Sequence, residues 1–231
     1  MLVPIDRTKV TDRIHASLAV FTFVPFVRRA DVRHAETAVE CWPIVGWTTG
    51  AFQALVLLVA APWLPWLAAI ALALLARVLL CPKPRLLPTK GMNWMGVAIY
   101  ELLLSALLLR LDPFTAAAVL FAAAPYAHMV CAQMVAMLPY REAAETNPWH
   151  IAFRKYSTAS GLWLFAQGML PMAVAIYVAG VNWQWMVFAP CLVMYFSYLF
   201  LLRRLGGYTV DALIAVSALL EAVVCWAAGW Q

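Results

Sequence analysis

Charge is scarce in this sequence. Asp, Glu, Lys and Arg make up 12% of its 231 residues, against 65% hydrophobic residues. Soluble domains typically carry about a quarter charged residues. One aqueous core of this length cannot bury so much apolar surface, so lipid must cover much of it. The chain is also short of the spacings that mark common sites. Its five cysteines, Cys41, Cys81, Cys131, Cys191 and Cys225, are dispersed, and no pair has C-x-x-C spacing. Such cysteines read as apolar packing, which excludes a disulfide framework and a sequence-local zinc site. There is no P-loop, no G-x-S-x-G, no H-E-x-x-H and no repeat of fixed period. The N-terminal stretch is polar and of mixed charge. Apolar Ile14–Val27 contains Pro25 and ends in Arg28-Arg29, which reads as an interfacial or re-entrant helix rather than a secretory signal.

What is present is a succession of long apolar runs. A membrane-crossing helix needs about 20 such residues. Seven segments qualify: Val39–Ala60, Pro62–Leu80, Trp94–Leu111, Thr115–Leu138, Leu162–Val178, Trp183–Leu202 and Thr209–Trp230. The fold expected is therefore an all-α, polytopic membrane helical bundle of about seven transmembrane helices with a cytoplasmic N-terminus. It forms one integral membrane domain over 1–231, with 1–38 a cytoplasmic or interfacial segment and 39–231 the bundle. With that orientation, 15 of the 16 Lys and Arg residues, Arg77 among them, fall on the cytoplasmic side; only Arg110 does not. This is the asymmetry that orients membrane proteins. The net charge of +5 then serves orientation and anionic headgroups, with no nucleic acid as partner. The segment from Tyr140 to Ser160 reads as a cytoplasmic connector with an amphipathic surface helix.

Ionisable groups inside spans are costly and invite a functional hypothesis. Glu101 is a buried acid or a polar link between helices, His128 a packed or ligating imidazole, and Glu221 a structural or functional carboxylate toward the far leaflet. Asp211 stands at the start of the last span, too far from Glu221 to share a metal. The most specific local feature runs from Arg203 to Asp211, RRLGGYTVD. Two guanidinium donors, a Gly206-Gly207 turn that lets backbone approach closely, and an acid at a helix start suit a phosphate-bearing ligand or its metal. The plainer reading is a basic anchor, a loop, and an acid that favours the helix dipole. The basic loop Cys81–Met92 likewise reads as a phosphate attractor or an anchor.

Several segments resemble the cobalamin synthase family, adenosylcobinamide-GDP ribazoletransferase. Cys41-Trp42-Pro43-Ile44-Val45-Gly46-Trp47-Thr48-Thr49-Gly50 resembles the family's "F/W-P-L-V-G-x-x-x-G" first span. Leu138-Pro139-Tyr140-Arg141-Glu142 is similar to its "Y-A-R-E/K-E", and Arg204 to Asp211 to its "R-x-L-G-G-x-T-G-D". Phe21–Phe26 resembles its "F-x-T-R-L-P" segment, and Glu221 falls where the family often has a glutamate. The resemblance implies a membrane enzyme late in adenosylcobalamin synthesis. It would join adenosylcobinamide-GDP to α-ribazole or its phosphate and release GMP, with Mg2+ as cofactor, in a bacterial or archaeal cell membrane. It also implies Asp211 and Glu142 as catalytic groups, Asp211 as a metal ligand, and Arg203, Arg204, Gly206, Gly207, Tyr140 and Arg141 as substrate contacts. Partners would be membrane lipid, the two substrates, and a second copy or other membrane enzymes of the pathway. The family's acidic block, "H-x-D-G-L-A-D-x-x-D-G", has no counterpart: the second span runs straight into the basic loop, and Val210 replaces a glycine. A non-catalytic relative that binds corrinoid or scaffolds other enzymes is the alternative, and a small transporter using Glu101 and Glu221 the third.

Overall fold

A computed structural model describes residues 7–21, 38–80, 94–141 and 156–230. These form an all-helical membrane bundle. Helix α1 is Arg7–Phe21. A 3-10 turn, Ala38–Cys41, leads into α2, Trp42–Ala60. Then follow α3 (Trp66–Leu80), α4 (Trp94–Leu108), α5 (Pro113–Met137), α6 (Thr158–Ala179), α7 (Trp183–Phe200) and α8 (Val210–Ala228). A π-helical turn, Leu201–Leu205, extends α7.

The helix ends follow their capping chemistry. Asp112 precedes Pro113 and accepts from the backbone N–H groups of Phe114 and Thr115 at 3.0 and 3.1 Å. Ser157, Asn182 and Thr209 accept in the same way at the starts of α6, α7 and α8. Gly180 ends α6 with φ of 65°, a conformation that glycine adopts without strain.

Helix α5 is the hub. Of its residues, Ala116, Val119, Ala122, Ala127, Val130 and Ala132 have no exposed surface. It packs on α2, α6 and α8. The closest seam joins α2 and α5. A Cβ added to Gly46 would sit 2.4 Å from the Pro125 Cα, and one on Gly50 2.9 Å from the Phe121 carbonyl oxygen. The Gly-x-x-x-Gly pair thus lets two backbones touch, which is how helices associate where lipid removes the hydrophobic incentive. Prolines inside α5, α6 and α7 each leave a carbonyl without its helical donor. In α6, Pro171 strands the Gln167 carbonyl, and the Trp47 indole of α2 donates to it at 2.8 Å. A helix break inside lipid is tolerated when a neighbouring helix supplies the missing partner in this way.

Among the described residues, five helical stretches are long and apolar enough to cross a bilayer: Ala38–Ala60, Pro113–Met137, Thr158–Ala179, Trp183–Leu205 and Val210–Ala228. Two of the seven expected spans are shorter than the sequence suggested. Helices α3 and α4 have 15 residues each, about 22 Å against a hydrocarbon core of about 30 Å. The apolar run before α3 is broken by the turn at Ala61–Pro65, which takes Pro62 to Pro65 out of the helix. The outward faces of α6 and α7 carry Phe165, Val174, Tyr177, Phe188, Phe196 and Phe200, all exposed, as a lipid-facing surface requires.

The helix near the N-terminus begins earlier than the apolar run at Ile14. It docks through Arg13, which is paired with Glu40, and through Ser17, whose hydroxyl donates to the Ala38 carbonyl at 2.9 Å. Most of the 140–160 connector, 142–155, lies outside the described residues, and the amphipathic helix expected in it stays an expectation of the sequence.

Candidate functional site

The C-terminal end of α5 and the start of α8 meet. The α7 extension closes on Gly206, at φ of 67°, and its N–H and that of Gly207 both reach the Leu201 carbonyl. The chain then runs parallel to the segment leaving α5. Tyr208 N–H donates to the Pro139 carbonyl at 2.9 Å, and Arg141 N–H to the Tyr208 carbonyl at 3.1 Å. Tyr140 and Tyr208 form a single parallel bridge, with ring centroids 5.4 Å apart. Arg141 Nε donates to the Gly206 carbonyl at 3.0 Å. A Cβ on Gly207 would lie 2.2 Å from the Pro139 carbonyl oxygen, so only glycine permits this approach.

The structure therefore brings together Tyr140, Arg141, Gly206 and Gly207. Tyr208 is buried beneath them, and Arg141, Arg203 and Arg204 are exposed. Asp211 occupies the first turn of α8 and is partly buried. The start of a helix favours negative charge, so the exposed guanidiniums and the α8 N-terminus give this corner an anion-attracting character. Glu142 lies outside the described residues. A shallow depression of about 650 Å3 lies at the other end of α7, lined by Ala179 to Gln184, and has no ionisable group in its wall.

Magnesium takes oxygen ligands, usually carboxylates together with substrate phosphates. Among the described residues, no three His, Cys, Asp or Glu side chains come together in a way that could hold a metal. Asp211 supplies one carboxylate. The described residues do not fit a protein-built magnesium site.

The buried polar groups differ from the sequence expectation. Arg77 is not a cytoplasmic anchor: it lies within α3, 6% exposed, and pairs with Glu221 of α8, itself 3% exposed. Tyr100 of α4 joins them. Its hydroxyl accepts from Arg77 at 3.2 Å and donates to Glu221 at 2.7 Å. The guanidinium carbon also lies 5.5 Å from the centroid of that ring. Glu101 is close enough to interact electrostatically with both Arg77 and Tyr100. Counting charges by side of the membrane hid this cluster. The signal that finds it is an arginine one turn inside an apolar run, together with an acid in mid-span that needs a partner. His128 hydrogen-bonds through Nδ1 to the Ala124 carbonyl of its own helix at 2.8 Å.

Residues 13–81 match the family model for cobalamin-5-phosphate synthase. That segment contains Arg13, the glycine pair of α2 and Arg77; 138–142 and 204–211 lie beyond it. No curated protein and no solved structure matches the chain. Over residues 13–81, then, this integral membrane protein is similar to the cobalamin synthase family.

Proposed function

We propose that the chain is a ribazoletransferase, joining adenosylcobinamide-GDP to α-ribazole or its phosphate and releasing GMP. The observation that carries this reading is the family match over residues 13–81. The corner formed by Pro139–Arg141 and Gly206–Tyr208 supports it, because it presents exposed guanidiniums beside a helix N-terminus. In the reaction, a ribazole hydroxyl oxygen forms a bond to the cobinamide-side phosphorus of the diphosphate. The bond from that phosphorus to the GMP oxygen breaks, GMP leaves with the electron pair, and the hydroxyl loses its proton. Arg141, Arg203 and Arg204 hold the diphosphate charge, and Asp211 receives the proton. Magnesium would lower the charge barrier of such a transfer. The reading puts the paired loops on the cytoplasmic side, where the nucleotide is.

A non-catalytic relative that binds corrinoid is the second reading. The single carboxylate at the described corner favours it. One assay separates the two: purified protein in bilayer discs, adenosylcobinamide-GDP and α-ribazole, with and without magnesium. Release of GMP with a cobalamin product supports the transferase. Binding of adenosylcobinamide-GDP without GMP release, weakened by Arg203→Ala with Arg204→Ala, supports the binder. Neither turnover nor binding overturns both. Gly207→Ala is expected to abolish either activity, because its methyl group would displace the Pro139 backbone.

A further inference from the structure

The Arg77–Tyr100–Glu221 cluster has no part in the transfer chemistry, yet it shares a helix with the proposed site. Glu221 is ten residues beyond Asp211 on α8, about 15 Å along the axis. The depth of one therefore fixes the depth of the other. The inward face of α8 is otherwise apolar: Leu213, Val216, Leu220, Val224, Ala227 and Ala228 are buried. Such a face looks similar after a shift of one turn, and lipid tails are as apolar as its side chains. A buried charge pair does not look similar. A slip of one turn, about 5.4 Å, would part Glu221 from Arg77 and leave both charges stranded in the bundle.

We propose that Arg77 and Glu221, bridged by Tyr100, are positioning residues that set the depth of α8 against α3 and α4. They thereby hold Gly206–Tyr208, which lead into α8, against Pro139–Arg141. The consequence for turnover rests on the transferase reading; the register itself does not.

Cysteine cross-linking in the full-length protein reads the register directly. Cys131 of α5 lies 3.3 Å from the Leu213 carbonyl of α8. With Cys41, Cys81, Cys191 and Cys225 changed to Ala, a cysteine is placed in α8 by Leu213→Cys or, one turn later, by Ser217→Cys. Oxidation followed by mass spectrometry of linked peptides gives the 131–213 and 131–217 yields. With the pair intact, the two yields stand in one fixed ratio. Arg77→Leu or Glu221→Leu is expected to shift that ratio several-fold, and the exchange Arg77→Glu with Glu221→Arg to restore it. Native yields in both single variants would overturn the proposal. If neither single variant accumulates, the double leucine variant leaves neither member of the pair stranded; it is expected to shift the same ratio, and an unchanged ratio would overturn the proposal. Where transfer is measured, the single variants lose rate by about a hundredfold, the scale of a misplaced reacting group, and the exchanged pair recovers it. A wild-type chain that transfers nothing defeats the transferase reading and leaves the cross-link ratio to judge this one.

Discussion

Helices α2 and α5 meet differently from the way α3 and α4 meet α8. At the first seam, Gly46 and Gly50 bring two long helices into backbone contact, and the attraction is spread over many close van der Waals neighbours. At the second, two short helices are tied by Arg77, Tyr100 and Glu221. Short helices cannot gather enough lipid-independent contact along their length, so a few strong polar bonds replace many weak apolar ones. The two seams should therefore fail differently: the first in proportion to added volume, the second according to which charge is left behind.

The largest effect is expected at the second seam. Glu221→Leu leaves the Arg77 charge buried, a loss of about 3–5 kcal/mol. Arg77→Leu together with Glu221→Leu should cost far less than either change alone, as measured by thermal unfolding in bilayer discs. A double variant as unstable as the single ones would erase the distinction between the seams. Next comes Gly46→Ala, whose methyl group lands on the Pro125 backbone; overpacking of this kind costs about 1–3 kcal/mol. Gly50→Ala should cost less, since its nearest obstacle is 2.9 Å away rather than 2.4 Å. A gentler test asks whether a polar bond also strengthens the apolar side of the bundle. Trp47→Phe removes the donor to the Gln167 carbonyl, at about 1 kcal/mol. Adding Pro171→Ala should recover part of it by restoring a helical donor to the same carbonyl.

The smallest effect lies outside both seams, at Asp112. Its hydrogen bonds to Thr115 and Phe114 hold the carboxyl below the usual aspartate range. The folded form therefore binds its proton less readily than the unfolded form does. The stabilisation is complete above the unfolded value, near 3.9, and is lost as pH falls through the lower folded one. Asp112→Ala should cost roughly 1 kcal/mol at neutral pH and flatten the acid limb of the stability curve.

Much of the bundle was legible because its causes are local. The long apolar runs announce crossings, and the structure adds the caps, Asp112, Asn182 and Thr209, that fix where α5, α7 and α8 start. The break after Ala60 was legible too, but not its extent: the next helix was expected from Pro62 and starts at Trp66, because hydropathy does not register where within an apolar run a helix begins. Of the candidate site, the pairing of residues 139–141 with 206–208 was suggested only by their resemblance to one family; nothing in either segment names the other. Arg77 was misread because a cation near the end of an apolar run suits a surface anchor as well as a buried partner. Its true setting depends on Tyr100 and Glu221, which are 23 and 144 residues away in the chain.

The sequence by itself determined that the chain lives in lipid, because that follows from composition and run length, which need no knowledge of neighbours. It also determined, to within a few residues, where the helices lie, which depends on the apolar runs alone. The tertiary structure alone decided which helices touch, that Gly207 is obliged to be glycine, and that Arg77 belongs with Glu221. In a bilayer the apolar surfaces of different helices are nearly interchangeable, so partners are chosen by shape and by buried charge, and both exist only once the helices have assembled.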